Sequence, residues 1–464
     1  MRPAHTPLAA PSAAGPAGTA AAAGIAGPGR RTVLAVLAGA GASLAVGAGA
    51  GRAQAADGCT VRLTARPSAE TERVRLAQAL RASEFQPTGR YVPANTALKI
   101  TVLPYDEVLP TLWIGQWDYY GTLTEPRRYA LKPGTNTITD PHGGPVYFSL
   151  EGDGERAAVT FGSASGSVPM PVFRLGQTEE ADFQRQLDTY TDVPVVELHG
   201  PRSIMTLTRD GALLYRDEDH AALLTLVEKI IGTESDISGL DGSKPVHRPK
   251  AGGYHFTEVS VVPSGVGAYA THGYNGFPRA YLDRATTVSG LGTRGWGLYH
   301  ELGHLHQQFA YKPGGLTEVT VNIYSLAVQR ALGQTSNLLT VDAATGLTYF
   351  QSARAKFGTA GLTYEKSFGA YEKLVPLRQL ELAFGEDFWP RLHRLVREEN
   401  PASASTETAK RYRALATYAS RVSGYDLTDF FLTTWAFPID AEGRAELAAL
   451  HLPEPPVDPA ALTD

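Results

Sequence analysis

The pentapeptide His300-Glu301-Leu302-Gly303-His304 sets two imidazoles four residues apart with a carboxylate beside the first. On a helix, positions i and i+4 lie above one another on one face, so both rings can reach a single metal ion. Glu301 stands about 100° further round the axis, near enough to touch water held on such an ion and poorly aimed to bind the ion itself. The arrangement suits zinc-assisted hydrolysis with Glu301 moving the proton. Leu302 and Leu305 put an apolar stripe on the same turns, which predicts a packed helix there.

A catalytic zinc site needs a third protein ligand and an open fourth position. Glu318 follows the turn Pro313-Gly314-Gly315 and opens a second predicted helix over 317–332, with Gly333 as its stop. Folding back antiparallel, that helix presents Glu318 to the two histidines. Asn322, one turn on, either orients a ligand from behind or is a surface amide. His306 faces away from the stripe formed by His300 and His304 and is a weaker third ligand than Glu318. For the donor facing a developing oxyanion, Tyr299, Tyr324, Tyr364 and His306 all stand open, each against a packing role.

The run Gly295-Trp296-Gly297-Leu298-Tyr299-His300-Glu301-Leu302-Gly303-His304-Leu305-His306-Gln307, followed by Glu318-Val319-Thr320-Val321-Asn322-Ile323-Tyr324-Ser325-Leu326, resembles the enhancin and enhancin-like metallopeptidases. That family's pattern is H-E-x-x-H with a glutamate ligand a limited loop later. Further similarity runs from Gly89-Arg90-Tyr91-Val92-Pro93-Ala94 to Asp426-Leu427-Thr428-Asp429-Phe430-Phe431. The resemblance implies a secreted gluzincin-type peptidase, with members directed at mucins and other O-glycosylated proteins. It implies His300, His304 and Glu318 as ligands of Zn2+ and Glu301 as general base and acid. It transfers no role to Leu305 or His306, and no glycan-contacting residue.

Residues 1–29 are mainly Ala, Pro and Gly, too poor in large apolar groups to fold, and read as a disordered leader. Arg30-Arg31-Thr32-Val33-Leu34 opens a weakly apolar stretch running to Gly51, and Ala53-Gln54-Ala55 supplies an A-x-A cleavage site. Paired arginines before a mild apolar segment point to twin-arginine export, with Sec export as the other route. The small-residue composition argues against a retained membrane anchor. Cys59 is the one cysteine, so no intrachain disulfide can form and stability must come from cores. A net charge of −5, with no basic run outside the leader, argues against nucleic acid or anionic membrane as partner.

The expected fold is multidomain α+β: an export signal over 1–55, an N-terminal β-sandwich over 56–175, a mostly helical gluzincin metallopeptidase domain over 176–452, and a loose tail over 453–464. Leu98, Ile100 and Val102 alternate with Lys99 and Thr101, and Val146-Tyr147-Phe148 and Val159-Thr160-Phe161 follow turn-rich stretches, which predicts strands. Trp113, Trp117, Tyr119 and Tyr120 fall in this part, as a sugar-stacking platform or as packing. Beyond Pro171, Leu223, Leu224, Leu226, Val227, Ile230 and Ile231 mark an amphipathic helix, and a short strand over 258–262 precedes the motif. Helices are expected over 374–384 and 388–396 around Gly385, with His393 as a surface or packing histidine and a buried apolar segment over 429–435. The functional expectation is a secreted zinc endopeptidase for glycoproteins, mucin-like ones among them. Two other classes stay open: a glycan-binding adhesin with a structural metal, and a peptidase for unglycosylated proteins.

Overall fold

Alternation of apolar and polar side chains shapes the first sheet. Along Ala97–Pro104, Leu98, Ile100 and Val102 are at most 2% exposed while Lys99 and Thr101 face solvent. This strand pairs antiparallel with Gly134–Thr139 on one side and Arg156–Phe161 on the other, and Cys59–Thr64 closes the four-stranded sheet. A second, five-stranded antiparallel sheet runs in the order Arg127–Ala130, Thr111–Ile114, Gly144–Ser149, Gln86–Val92, Val168–Pro169. The two share one core, in which Ile100, Val102 and Phe161 of the first meet Leu112, Ile114 and Phe148 of the second. The computed structural model describes residues 59–121, 125–399 and 405–464, so the expected export signal and Ala53-Gln54-Ala55 lie outside the described residues. Among the described residues, no helix is long and apolar enough to cross a membrane.

One carboxylate ties this region together. Asp140 is fully buried and accepts from Arg127 Nε (2.6 Å) and Nη2 (2.8 Å), from the Tyr129 hydroxyl (2.6 Å), and from the backbone N–H groups of His142 and Gly143. Burial works against its charge, but these donors outweigh it and hold the carboxyl below its ordinary value. Such a group contributes stability above the unfolded-state pKa, and the contribution is lost as pH falls through the folded-state value. Asp140→Ala leaves Arg127 and Tyr129 without their acceptor and should cost about 3–5 kcal/mol, read as a lower melting temperature at neutral pH. The difference from the parent protein should shrink on acidification; an unchanged melting temperature at pH 7 would contradict this role.

The second half corrects the expectation of a mostly helical domain. Six strands between Val172 and Pro278 form a mixed sheet in the order Val172–Arg174, Val195–His199, Ser203–Thr208, Tyr254–Val259, Tyr274–Pro278, Tyr269–Thr271. The architecture is plainly mixed α+β, with helices packed on one face of this sheet and the β-rich region on the other. Apart from the short strand expected over 258–262, these strands escaped a sequence reading because both faces are covered: every residue of Val195–His199 and Tyr254–Val259 is buried, Glu197, His199, His255 and Glu258 included. Burial on both faces erases the alternation that marks a half-buried strand. The strand expected over 258–262 is therefore Tyr254–Val259.

Aromatic rings fill the seam between the two parts. Trp117 stacks between Phe85 (5.7 Å) and Tyr274 (5.2 Å), and Trp113 packs on Phe85, so the tryptophans are packing residues and only Tyr119 and Tyr120 stay exposed. The Tyr147 hydroxyl donates to buried Glu197, which also pairs with His199 (2.7 Å). The helices His220–Ile237, Ala370–Phe384, Phe388–Glu399 and Thr408–Ser423 complete the second half. The expected loose tail is docked instead. Gln379 Nε2 donates to the Ala460 and Leu462 carbonyls, both at 3.0 Å, and Arg378 pairs with Asp464 (2.6 Å). Its Pro- and Asp-rich composition hid these partners, which come from a helix far away in sequence.

Candidate metal centre

The motif forms the helix Trp296–His304, and the four-residue spacing places the His300 and His304 rings edge to face with centroids 4.8 Å apart. After Leu305 the chain turns away and returns through the short turn Gly314–Leu316 into Thr317–Thr320, which carries Glu318. The helix expected over 317–332 is broken at Val321 into Thr317–Thr320 and Asn322–Ala331, and Gly333, at φ +67°, ends it. Close approach of this segment favours a glycine at position 303. A Cβ there would lie 3.0 Å from Val321 and 3.2 Å from Tyr324.

This return brings Glu318 Oε2 to 2.9 Å from His300 Nε2 and 3.5 Å from His304 Nε2, and the three donor atoms all lie within 4.8 Å of one another. Glu318 is 46% exposed, so the cluster is open on its side. Burial opposes its charge, but hydrogen bonds from the two imidazoles hold its carboxyl well below the usual range. Burial likewise opposes charge on His300, yet the bond to Glu318 and the charges of Glu301 and Glu318 carry it up to about 9.

Two side-chain amides settle which ring nitrogens face inward. Asn322 Nδ2 donates to the Glu318 carbonyl (2.9 Å), so its Oδ1 is the atom that accepts from His300 Nδ1 at 2.7 Å. Gln307 Nε2 donates to the Thr317 carbonyl (2.8 Å) and to Thr320 Oγ1 (2.6 Å), so its Oε1 accepts from His304 Nδ1 at 3.1 Å. With both Nδ1 atoms donating outward, both Nε2 atoms turn toward Glu318, where a protonated Nε2 donates to the carboxylate and a deprotonated one offers its lone pair to an ion. Two imidazole nitrogens and one carboxylate oxygen, converging and open on one side, fit a divalent ion of the zinc type. Asn322 is thus a ring partner and not a surface amide. Asn322→Ala should weaken metal binding about 10–100-fold in competition with a chelator, whereas a merely superficial amide would leave the affinity unchanged.

Glu301 projects beside the cluster, 8% exposed, with its carboxyl raised by burial against the opposing pull of His300 and His304 and, more weakly, of the Ala270 backbone N–H in the edge strand Tyr269–Thr271. The oxyanion candidates read from sequence do not reach this centre. Tyr299 donates to Leu291 O, Tyr324 to His306 O (3.1 Å) and Tyr364 to Lys373 O, all three fully buried. His306 is buried between Ser238 Oγ (2.9 Å) and the Tyr254 hydroxyl (2.8 Å), and His393 packs inside against Tyr324 and the Ile237 carbonyl. Sequence reading assigned no role to Gln307, although its position three residues after His304 puts it within reach on the same side. Ala270 contributes only backbone and carries no sequence signal.

The model of the Peptidase M60, enhancin and enhancin-like family matches residues 166–436, and that of the N-terminal domain of M60-like peptidases matches 67–161. The chain belongs to the M60 family. It shares that family's metallopeptidase character, and the His300, His304 and Glu318 group, which could hold a metal ion, falls inside the matched span. Among solved structures, a functionally unknown conserved protein from Bacillus anthracis is similar at 28% identity and TM-score 0.78, covering 88% of this chain and 82% of that one. The catalytic module of the metalloprotease ZmpA from Clostridium perfringens shares the fold at 20% identity and TM-score 0.70, covering 87% and 81%. The M60 catalytic domain of Clostridium perfringens ZmpC, solved in complex with the sialyl T antigen, shares it at 18% identity and TM-score 0.70, covering 87% and 82%. A comparison with curated proteins finds no match.

Proposed function

We propose that this M60 protein is a secreted zinc-dependent endopeptidase that hydrolyses peptide bonds in glycoproteins, mucin-like O-glycosylated ones among them. One observation carries the reading: His300 Nε2, His304 Nε2 and Glu318 Oε2 converge with Glu301 alongside. His300, His304 and Glu318 would hold the ion. Zinc, when bound, supplies Lewis acidity toward water and the scissile carbonyl. Glu301, kept out of bulk water, takes the proton of the attacking water and returns it to the leaving amine. Asn322 and Gln307 hold the imidazoles in the tautomer that this chemistry needs. The glycoprotein preference draws support from the sialyl T antigen bound by the similar ZmpC domain. Secretion draws on the paired arginines and the A-x-A segment of the leader.

The test is incubation of zinc-loaded protein with a defined O-glycopeptide set and with the same peptides stripped of sugar, with and without chelator, followed by intact-mass mapping of fragments. Chelator-sensitive cleavage of the glycosylated set supports the reading. Tight binding without cleavage would favour a glycan-binding adhesin, and faster cleavage of the stripped set a peptidase for unglycosylated proteins.

A further inference from the structure

We propose that Lys250 is a positioning residue of the metal centre: its ammonium holds the carbonyl that ends the motif helix and so fixes where His304 presents its ring. The proposal rests on the metal-centre reading above and names what keeps that centre in shape before an ion arrives.

Lys250 Nζ donates to the Leu305 carbonyl at 2.6 Å. Leu305 follows His304 and caps the helix Trp296–His304, whose final carbonyls carry the negative end of the helix dipole. A cation set there attracts that end, one residue from a metal ligand. The same ammonium lies 4.9 Å from the centroid of the Tyr254 ring. Tyr254 in turn stacks on His306 at 5.4 Å and shares a 2.8 Å hydrogen bond with its Nε2.

A cation in this place works against its surroundings. The Lys250 stem is half-buried, and burial pulls the ammonium down to about 7, while Glu72 and Glu234 support its charge from a distance. Methionine would fill the same space without that desolvation, so the contact with the Leu305 carbonyl is what the charge provides.

The loop that carries Lys250 is itself clamped. Arg75, at the end of the helix Ala69–Arg75, donates from Nη1 to the Val246 (3.1 Å) and Arg248 (3.0 Å) carbonyls, and Glu72 Oε2 accepts from the Ala251 N–H at 3.0 Å. Just beyond that helix, the Ala79 N–H donates to the Gln307 carbonyl (2.9 Å) and the Phe309 N–H to the Ala77 carbonyl (3.0 Å). Residues 72–79 thus bracket both the lysine and the chain leaving the motif helix, including Gln307, the partner of His304 Nδ1.

The test uses cobalt as a spectroscopic stand-in for zinc, together with amide hydrogen exchange over residues 302–307 in the metal-free protein. In the metal-free parent these amides should exchange within about threefold of their rate with cobalt bound, because the frame needs no ion. Lys250→Met, apolar and similar in length, is expected to speed their exchange about tenfold, to weaken cobalt binding about tenfold in chelator competition, and to shift the cobalt absorption bands. Lys250→Arg keeps a cation at the carbonyl and should bind cobalt within about threefold of the parent. Parent-like cobalt affinity and bands in Lys250→Met, whatever its melting temperature, would reduce Lys250 to a stabilising residue and overturn the proposal. Lys250→Arg binding as weakly as Lys250→Met would overturn it too. Should Lys250→Met not fold, the parent alone decides: fast exchange without metal that slows only with cobalt would show that the ion sets the position. Failure of the parent to bind cobalt would overturn the metal-centre reading and the proposal with it.

Discussion

Glu301→Gln should lower turnover by about two to four orders of magnitude while the protein keeps its metal. The expectation follows from position: Glu301 lies beside the His300, His304 and Glu318 cluster but is not one of its three converging donors. Glutamine preserves the volume of a side chain that is almost fully buried, so the loss isolates the proton acceptor from any packing defect. Glu301→Ala removes the same acceptor and opens a cavity in addition, so it should lose turnover as fully and some thermal stability besides. Metal content by elemental analysis and kcat/KM on a cleavable glycopeptide give the two readouts. Activity near that of the parent in either variant, or loss of metal from Glu301→Gln, would sink the assignment.

Much of the centre was legible in the sequence because its ligands obey local rules. A spacing of four residues defines one helix face whatever the tertiary context, so His300 and His304 could be paired from their numbers alone. Glu318 needed only a turn and a returning helix, and Pro313-Gly314-Gly315 announced the turn. The surroundings were harder to read because they come from distant segments. Ala270 reaches Glu301 from an edge strand, Tyr281 lies on Gly297 from before the helix, and Trp117 packs against Tyr274 across the seam. The central strands were hidden for a related reason. Glu197, His255 and Glu258 are buried polar residues in fully covered strands, and a pattern search takes such residues for surface. Asn322 shows the middle case: its spacing from Glu318 was visible, but only the 2.7 Å contact with His300 chose between its two readings.

His304→Ala should cost far more metal affinity than the about 10–100-fold expected for loss of an outer partner such as Asn322, because it removes a donor from the cluster itself. The same cluster dictates how the parent protein's affinity should vary with pH. Without metal, the His300 ring is raised to about 9 and its Nε2 proton lies toward Glu318, in the space the ion would take. Glu318 is held below its ordinary range and stays ionised from mildly acidic pH upward, so it releases nothing. Metal uptake at neutral pH must therefore expel the His300 proton. Affinity should rise about tenfold per pH unit as pH increases through the neutral range and level off near pH 9, with about one proton released per ion at pH 7. Chelator competition at pH 6, 7 and 8 and proton release in weakly buffered solution measure the two quantities. An affinity flat over that range would mean that His300 is already neutral in the metal-free protein, and the charge balance drawn here between His300 and Glu318 would be wrong.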